Sequence, residues 1–295
     1  MLPAVLVLAF GLIAGGAFLA LNRYGSPAYD GTCVATGLGT SHRYTTDRVA
    51  NAALISAISV DREMPPRAAS IALATAYQES QLRNIDYGDR DSLGLFQQRP
   101  SQGWGTPEQI MDPVYSTNAF YDALEKVTNY AKGDINDVAQ KVQRSGHPEA
   151  YRDHEVEGRL YASALTGQSG ANLVCTLGSP SGTASPEALR SELSRQFPRL
   201  SKAEAITAQL AQASSVAPRQ AEGAGPTALV IDPGGDEKRG WALANWAVAR
   251  AADNSVVQVS YRGRVWDRSA RGDAARSWGK ADGGDAERVV VLLAG

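Results

Sequence analysis

The hydrophobic pattern divides the chain into an uninterrupted apolar start and a longer body in which apolar positions recur at helix or strand spacing. From Leu2 to Leu21 (LPAVLVLAFGLIAGGAFLAL) there is no charged residue, and about 20 apolar residues suffice to cross a hydrocarbon core of about 30 Å. This predicts a transmembrane anchor. The alternative, a cleaved signal peptide, lacks the expected basic leader. Arg23 to Thr40 has no apolar period and is rich in Gly, Ser and Thr, so it reads as a tether.

Helical spacing sets in with Val49, Ala53, Ile55 and Ile58, behind capping candidates Thr46 and Asp47. After Pro65 and Pro66 the run RAASIALATAYQESQL is apolar on almost every side, which predicts an internal helix. The segment NIDYGDRDSLGLFQQ carries turn residues before a short apolar run and reads as a turn or hairpin. Helices are predicted over 118–130, 135–145 and 155–165. Beyond a Gly/Ser/Thr/Pro linker, helices over 187–197 and 202–214 precede the strand TALVIDP, the helix RGWALANWAVARAA, the strands VVQVSY and RVWD, and a final strand ERVVVLL. Strands separated by a helix predict a small α/β unit.

Composition narrows the classes. With 295 residues, 43% hydrophobic and 20% charged, the chain is long enough for two folded units and is neither disordered, collagenous nor a coiled coil. A net charge of -2 provides no general basic field for a nucleic acid. Cys33 and Cys175 are the only cysteines and flank the same candidate domain. They predict one disulfide, and hence a body outside the cytosol, against the alternative of two unrelated thiols. The three histidines, His42, His147 and His154, match no metal-ligand spacing, and no cofactor is implied.

On the internal helix, Glu79 shares a largely apolar face with Ala68, Ala72, Thr75, Ala76 and Leu82. Apolar neighbours disfavour the carboxylate anion, moving the group toward the range of a general acid at neutral pH. The competing reading has Glu79 in solvent or paired with Arg83. Among Asp86, Asp89 and Asp91 there are candidates for a second carboxylate, but acids in such loops most often cap turns.

The combination ATAYQES, with Glu79 and Ser80 closing the helix, followed by Gly94, Leu95, Phe96 and Gln97, resembles the lysozyme-like lytic transglycosylases of actinobacterial envelope- and phage-associated type. Phe96 stands where that family has Met, and Arg152 follows Ala150 and Tyr151 where the family has Asn. The resemblance spans roughly 43–166. It implies a single catalytic acid, Glu79, that cleaves between N-acetylmuramic acid and N-acetylglucosamine, with Ser80 and Tyr151 as substrate-binding candidates on its motifs. Gln97 and Gln98 are candidates as amides for acetamido groups, and Trp104 as a ring for a sugar face, against the alternative that it covers a core edge. A transglycosylase route needs no second carboxylate, whereas hydrolysis does. The C-terminal run from Thr227 is similar to a module of wall peptidases related to zinc D-alanyl-D-alanine carboxypeptidases, but the absence of histidine there leaves no family-type zinc centre, with Asp232 as a relic of a ligand position.

These expectations combine into an anchor (1–22), a tether (23–42), a mostly α lysozyme-like domain (43–175), a linker (176–186) and a small α/β accessory domain (187–295). Peptidoglycan is the expected substrate. The protein is expected in the cell membrane as a single-pass species with its body extracytoplasmic, or secreted after signal cleavage. An envelope protein partner is assigned to the C-terminal domain. The alternative function is a non-enzymatic envelope module that binds glycan or a secretion-system partner.

Overall fold

The computed structural model describes residues 31–180, 182, 184–202, 206–210, 227–281 and 285–295. The anchor expected over Leu2 to Leu21 lies outside the described residues. Among the described residues no helix is long and apolar enough to cross a membrane.

The structure corrects the expected fold class in both halves. The first half is not helical alone: strands β1 (Thr32–Gly37), β2 (Thr40–Thr45) and β3 (Leu173–Thr176) form an antiparallel sheet in the order β2-β1-β3. The end of the stretch expected as a tether is therefore a hairpin. The strand leaves little pattern in the sequence because the inward residues of β1, Cys33 and Ala35, are small and few. Cys33 lies opposite Cys175 in the β1/β3 register, and the two form the expected disulfide. The bridge ties the entry of this half to its exit. In the chain-entropy model, closing a loop of this length restricts the unfolded chain by about 4 to 5 kcal/mol.

Between those strands lie α1 (Thr46–Asp61), α2 (Pro66–Ser80), α3 (Pro107–Met111), α4 (Pro113–Glu125), α5 (Ile135–Gln143) and α6 (Glu155–Leu165). Pro66 starts α2 at the one position where a missing N–H costs nothing. As its composition predicts, α2 is internal: Ala68, Ala69, Ile71, Ala72, Leu73, Ala74 and Ala76 are buried. Helix α6 approaches α2 so closely that a Cβ at Gly158 would lie 2.9 Å from the Ser70 carbonyl oxygen. Only glycine permits this spacing.

The C-terminal half contains α7 (Pro186–Gln196), α8 (Pro198–Lys202), β4 (Ile206–Leu210), β5 (Thr227–Ile231), α9 (Glu237–Ala249), β6 (Val256–Tyr261), β7 (Arg264–Asp267), β8 (Gly279–Lys280) and β9 (Val289–Leu293). Its sheet runs β4-β5-β9-β6-β7-β8, with every neighbouring pair antiparallel. The expected α/β unit is thus an antiparallel sheet with helices beside it. A strand occupies 206–210, inside the segment expected as a helix over 202–214.

Helix α9 is buried on nearly every side because it is covered twice. It contacts the sheet, where Trp241 meets Tyr261 edge-on, and it contacts the first half, where Asn245 Nδ2 donates to the carbonyls of Ala164 and Gly170, both at 2.8 Å. Trp266 and Trp278 donate their indole N–H groups to the carbonyls of Cys175 at 2.9 Å and Leu173 at 2.8 Å. The stretch expected as a linker is held too: buried Arg268 donates to the carbonyl of Gly178, at 2.6 Å, and Ser255 Oγ to that of Gly182, at 3.2 Å. The bonds to Ala164, Leu173 and Cys175 satisfy backbone groups of the first half that burial would otherwise strand.

Candidate active site

Glu79 sits in the last turn of α2, which ends at Gln81 in the left-handed conformation (φ 55°). Beside it, Ser80 is buried, and its hydroxyl donates toward the carbonyls of Ala76, at 3.0 Å, and Leu95, at 2.8 Å. The second contact ties the helix end to the Gly94–Gln97 turn, which is closed by reciprocal backbone bonds between Leu93 and Gln98 at 2.9 and 3.0 Å. Gly94 has φ +76°, and a side chain there would press on the Ile110 carbonyl. The two motifs picked out in the sequence are thereby joined, with Ser80 as a brace.

The Glu79 carboxyl is half-buried and takes two donors on one oxygen. Tyr151 Oη donates to Oε1 at 2.6 Å and Gln143 Nε2 at 3.1 Å. Gln143 Nε2 also donates to the Phe96 carbonyl at 2.8 Å, linking the end of α5 to the turn. Tyr151 is fully buried in the short 310 turn before α6. Burial raises the Glu79 pKa above the usual carboxyl range, with the bonds from Tyr151 and Gln143 pulling the other way. Burial and the neighbouring Glu79 push the Tyr151 phenol well above its ordinary value, so it stays a donor. Because both donors address Oε1, the proton of the neutral acid belongs on Oε2, the oxygen that accepts no hydrogen bond among the described residues.

The other candidates separate. Gln97 is half-exposed, and its amide donates to the carbonyls of Tyr87 and Gly94, both at 3.3 Å. Gln98 is 1% exposed and donates to the Ser116 carbonyl at 3.0 Å, so it braces α4 rather than facing a groove. Trp104 lines a groove of about 910 Å³ together with Gln102, Lys126, Lys141, Gln143 and Arg144. Gln143 therefore belongs both to this groove and to the Glu79 cluster. Arg152, at the position of the family's Asn, is exposed and pairs with Glu149 at 3.1 Å. The amide beside Glu79 comes from Gln143 instead. No pattern in the sequence marks Gln143, which is one polar residue at the end of an amphipathic helix.

Among the loop acids, Asp91 accepts from Arg99 Nε at 2.7 Å and the Ser101 N–H at 2.8 Å, and these bonds hold its carboxyl far below the ordinary carboxylate range. It is a brace for the loop. Asp86 and Asp89 are exposed, with Asp89 3.8 Å from Arg90. His154 Nε2 lies 2.9 Å from Gln78 Oε1, and its ring stacks at a tilt on Tyr77. Among the described residues no group of three or more His, Cys, Asp and Glu is placed to hold a metal ion. Asp232 is exposed and accepts the Gly234 N–H at 2.7 Å, which closes a turn.

The arrangement can deliver and recover one proton at a carboxyl whose second oxygen is left open, beside a groove with an aromatic wall. Compared with known proteins, the sequence matches no family model and no curated protein.

Proposed function

We propose that the protein cleaves peptidoglycan glycan strands in the manner of lysozyme-like lytic transglycosylases, with Glu79 as acid and then base. The observation that carries this reading is the carboxyl at the end of a buried helix, raised in pKa by burial and oriented through Oε1 alone. Glu79 Oε2 gives its proton to the oxygen bridging N-acetylmuramic acid and N-acetylglucosamine as the glycosidic bond breaks. The same carboxylate then takes the proton of the muramic sugar's own hydroxyl as that oxygen closes onto the anomeric carbon, leaving an anhydro end. Tyr151 and Gln143 hold the carboxyl throughout. Asp91, held by Arg99 and the Ser101 N–H as a brace of the loop, is not free to act as the second carboxylate that hydrolysis requires.

The substrate lies outside the cytosol, and the Cys33–Cys175 disulfide supports an oxidising compartment for the protein. Trp104 is the platform for a sugar ring, since the face of an indole offers a large apolar surface with a polar edge.

Digestion of wall sacculi by the purified protein, with mass spectrometry of the released muropeptides, tests the reading. Anhydro-muramyl products from the parent and none from Glu79→Gln are expected. Reducing muramic ends alone overturn the transglycosylase route, and equal release by parent and variant removes Glu79 as the catalyst.

A further inference from the structure

The groove that Gln143 shares with the Glu79 cluster has a wall of one charge. Lys126 follows α4, while Lys141 and Arg144 lie on and just after α5, and all three line the groove with Trp104 and Gln143. Among the described residues no carboxylate lines it. All three cations are exposed, and among the described residues none of them forms an ion pair, although the chain as a whole carries a net charge of -2. Arg152, by contrast, is paired with Glu149 and lies 3.7 Å from Asp134. Neutral sugar rings require hydrogen bonds and an aromatic face but no cations. A cationic wall with no acid in it suits an anionic ligand, and low-dielectric groove walls focus that field.

We infer that this groove binds the part of the wall polymer that carries charge, the free carboxylates of the peptide attached to the muramic sugar. The inference rests on the glycan-cleaving reading in placing the glycan at Glu79. With a sugar held near Glu79 and Gln143, the peptide substituent lies along Lys126, Lys141 and Arg144, so the protein selects strands whose peptides carry free carboxylates over strands whose peptide carboxylates are amidated. Carboxylate and phosphodiester anions share the chemistry such a wall recognises. The carboxylate is assigned because it is covalently attached to the sugar that the catalytic acid addresses.

The test uses the full chain carrying Glu79→Gln, so that ligand stays intact. Calorimetry compares a soluble glycan oligomer whose peptides have free carboxylates with the same oligomer after those carboxylates are converted to carboxamides, at low and high salt. The glycan with free peptide carboxylates should bind about tenfold tighter or more at low salt, with the difference shrinking at high salt. Adding Lys126→Gln, Lys141→Gln and Arg144→Gln should abolish the preference while the thermal melt stays in place, since these side chains are exposed. Equal binding of the two glycans, or a preference that survives the triple substitution, overturns the inference. Poly(glycerol phosphate) that displaces the peptide-bearing glycan at equal charge concentration overturns the peptide assignment. Cleavage by the parent is scored separately: failure to cut either glycan defeats the proposed activity and leaves the binding preference to be judged on its own.

Discussion

Tyr151 and Glu79, far apart in sequence, meet through a 2.6 Å hydrogen bond in which the buried phenol donates to the carboxyl oxygen Oε1. The bond fixes which oxygen can carry the acid proton, and it also favours the ionised form of Glu79. Removing it with Tyr151→Phe should therefore have two effects. The alkaline limb of the pH–rate profile should move to higher pH, because the acid stays protonated longer. The rate at the optimum should fall about tenfold or more as orientation is lost. A limb that moves to lower pH contradicts this account of Tyr151.

Burial raises the pKa of Glu79, so the folded state binds its proton more tightly than the unfolded chain does. The stability associated with this proton is complete below the ordinary carboxyl value of about 4.3 and is lost as pH rises through the raised value. Glu79→Gln is neutral at every pH and keeps an acceptor for Tyr151. The variant should melt above the parent at pH 7, and the two melting curves should converge near pH 4. A variant less stable at neutral pH would place the carboxylate in a favourable rather than a costly environment.

The disulfide joins the first and last strands of the three-stranded sheet, opposite each other in register. Replacing both cysteines with alanine should cost about 2 to 5 kcal/mol in denaturant unfolding, as is typical of native bridges in small secreted domains. An unchanged midpoint would show that the strand pairing holds without the bridge.

The two halves share donors and acceptors, so they should unfold together. Trp266→Phe leaves the Cys175 carbonyl without its indole partner, a loss of about 1 to 3 kcal/mol for a buried acceptor. Deleting the chain after Thr176 strips away α9 and uncovers Ala164 and other buried positions on α6. The truncated protein should aggregate or melt well below the parent in calorimetry. A truncated chain that keeps the parent melting temperature would show that the first half stands alone.

Local chemistry was legible in the sequence where one residue type dominated its own surroundings. The alanine-rich run from Pro66 announced a buried helix, and Glu79 at its end announced a carboxyl in apolar company, because helix periodicity depends only on neighbours within the same segment. The strands Val256–Tyr261 and Arg264–Asp267 were plain for the same reason. The cysteine count sufficed for the disulfide. Tertiary structure alone decided the partners of Glu79: Gln143 reaches it from another element and carries no local mark, and Tyr151, marked only as a substrate-binding candidate, turns out to hold the carboxyl. It also moved Gln98 from the groove to a brace on α4, and converted part of a supposed tether into a sheet strand. Burial of β1 depends on α6, where Tyr161 Oη donates to the Cys33 carbonyl at 3.0 Å. A long-range contact of this kind leaves no period in the sequence, because the free energy that sets it belongs to surfaces that meet only after the chain has folded.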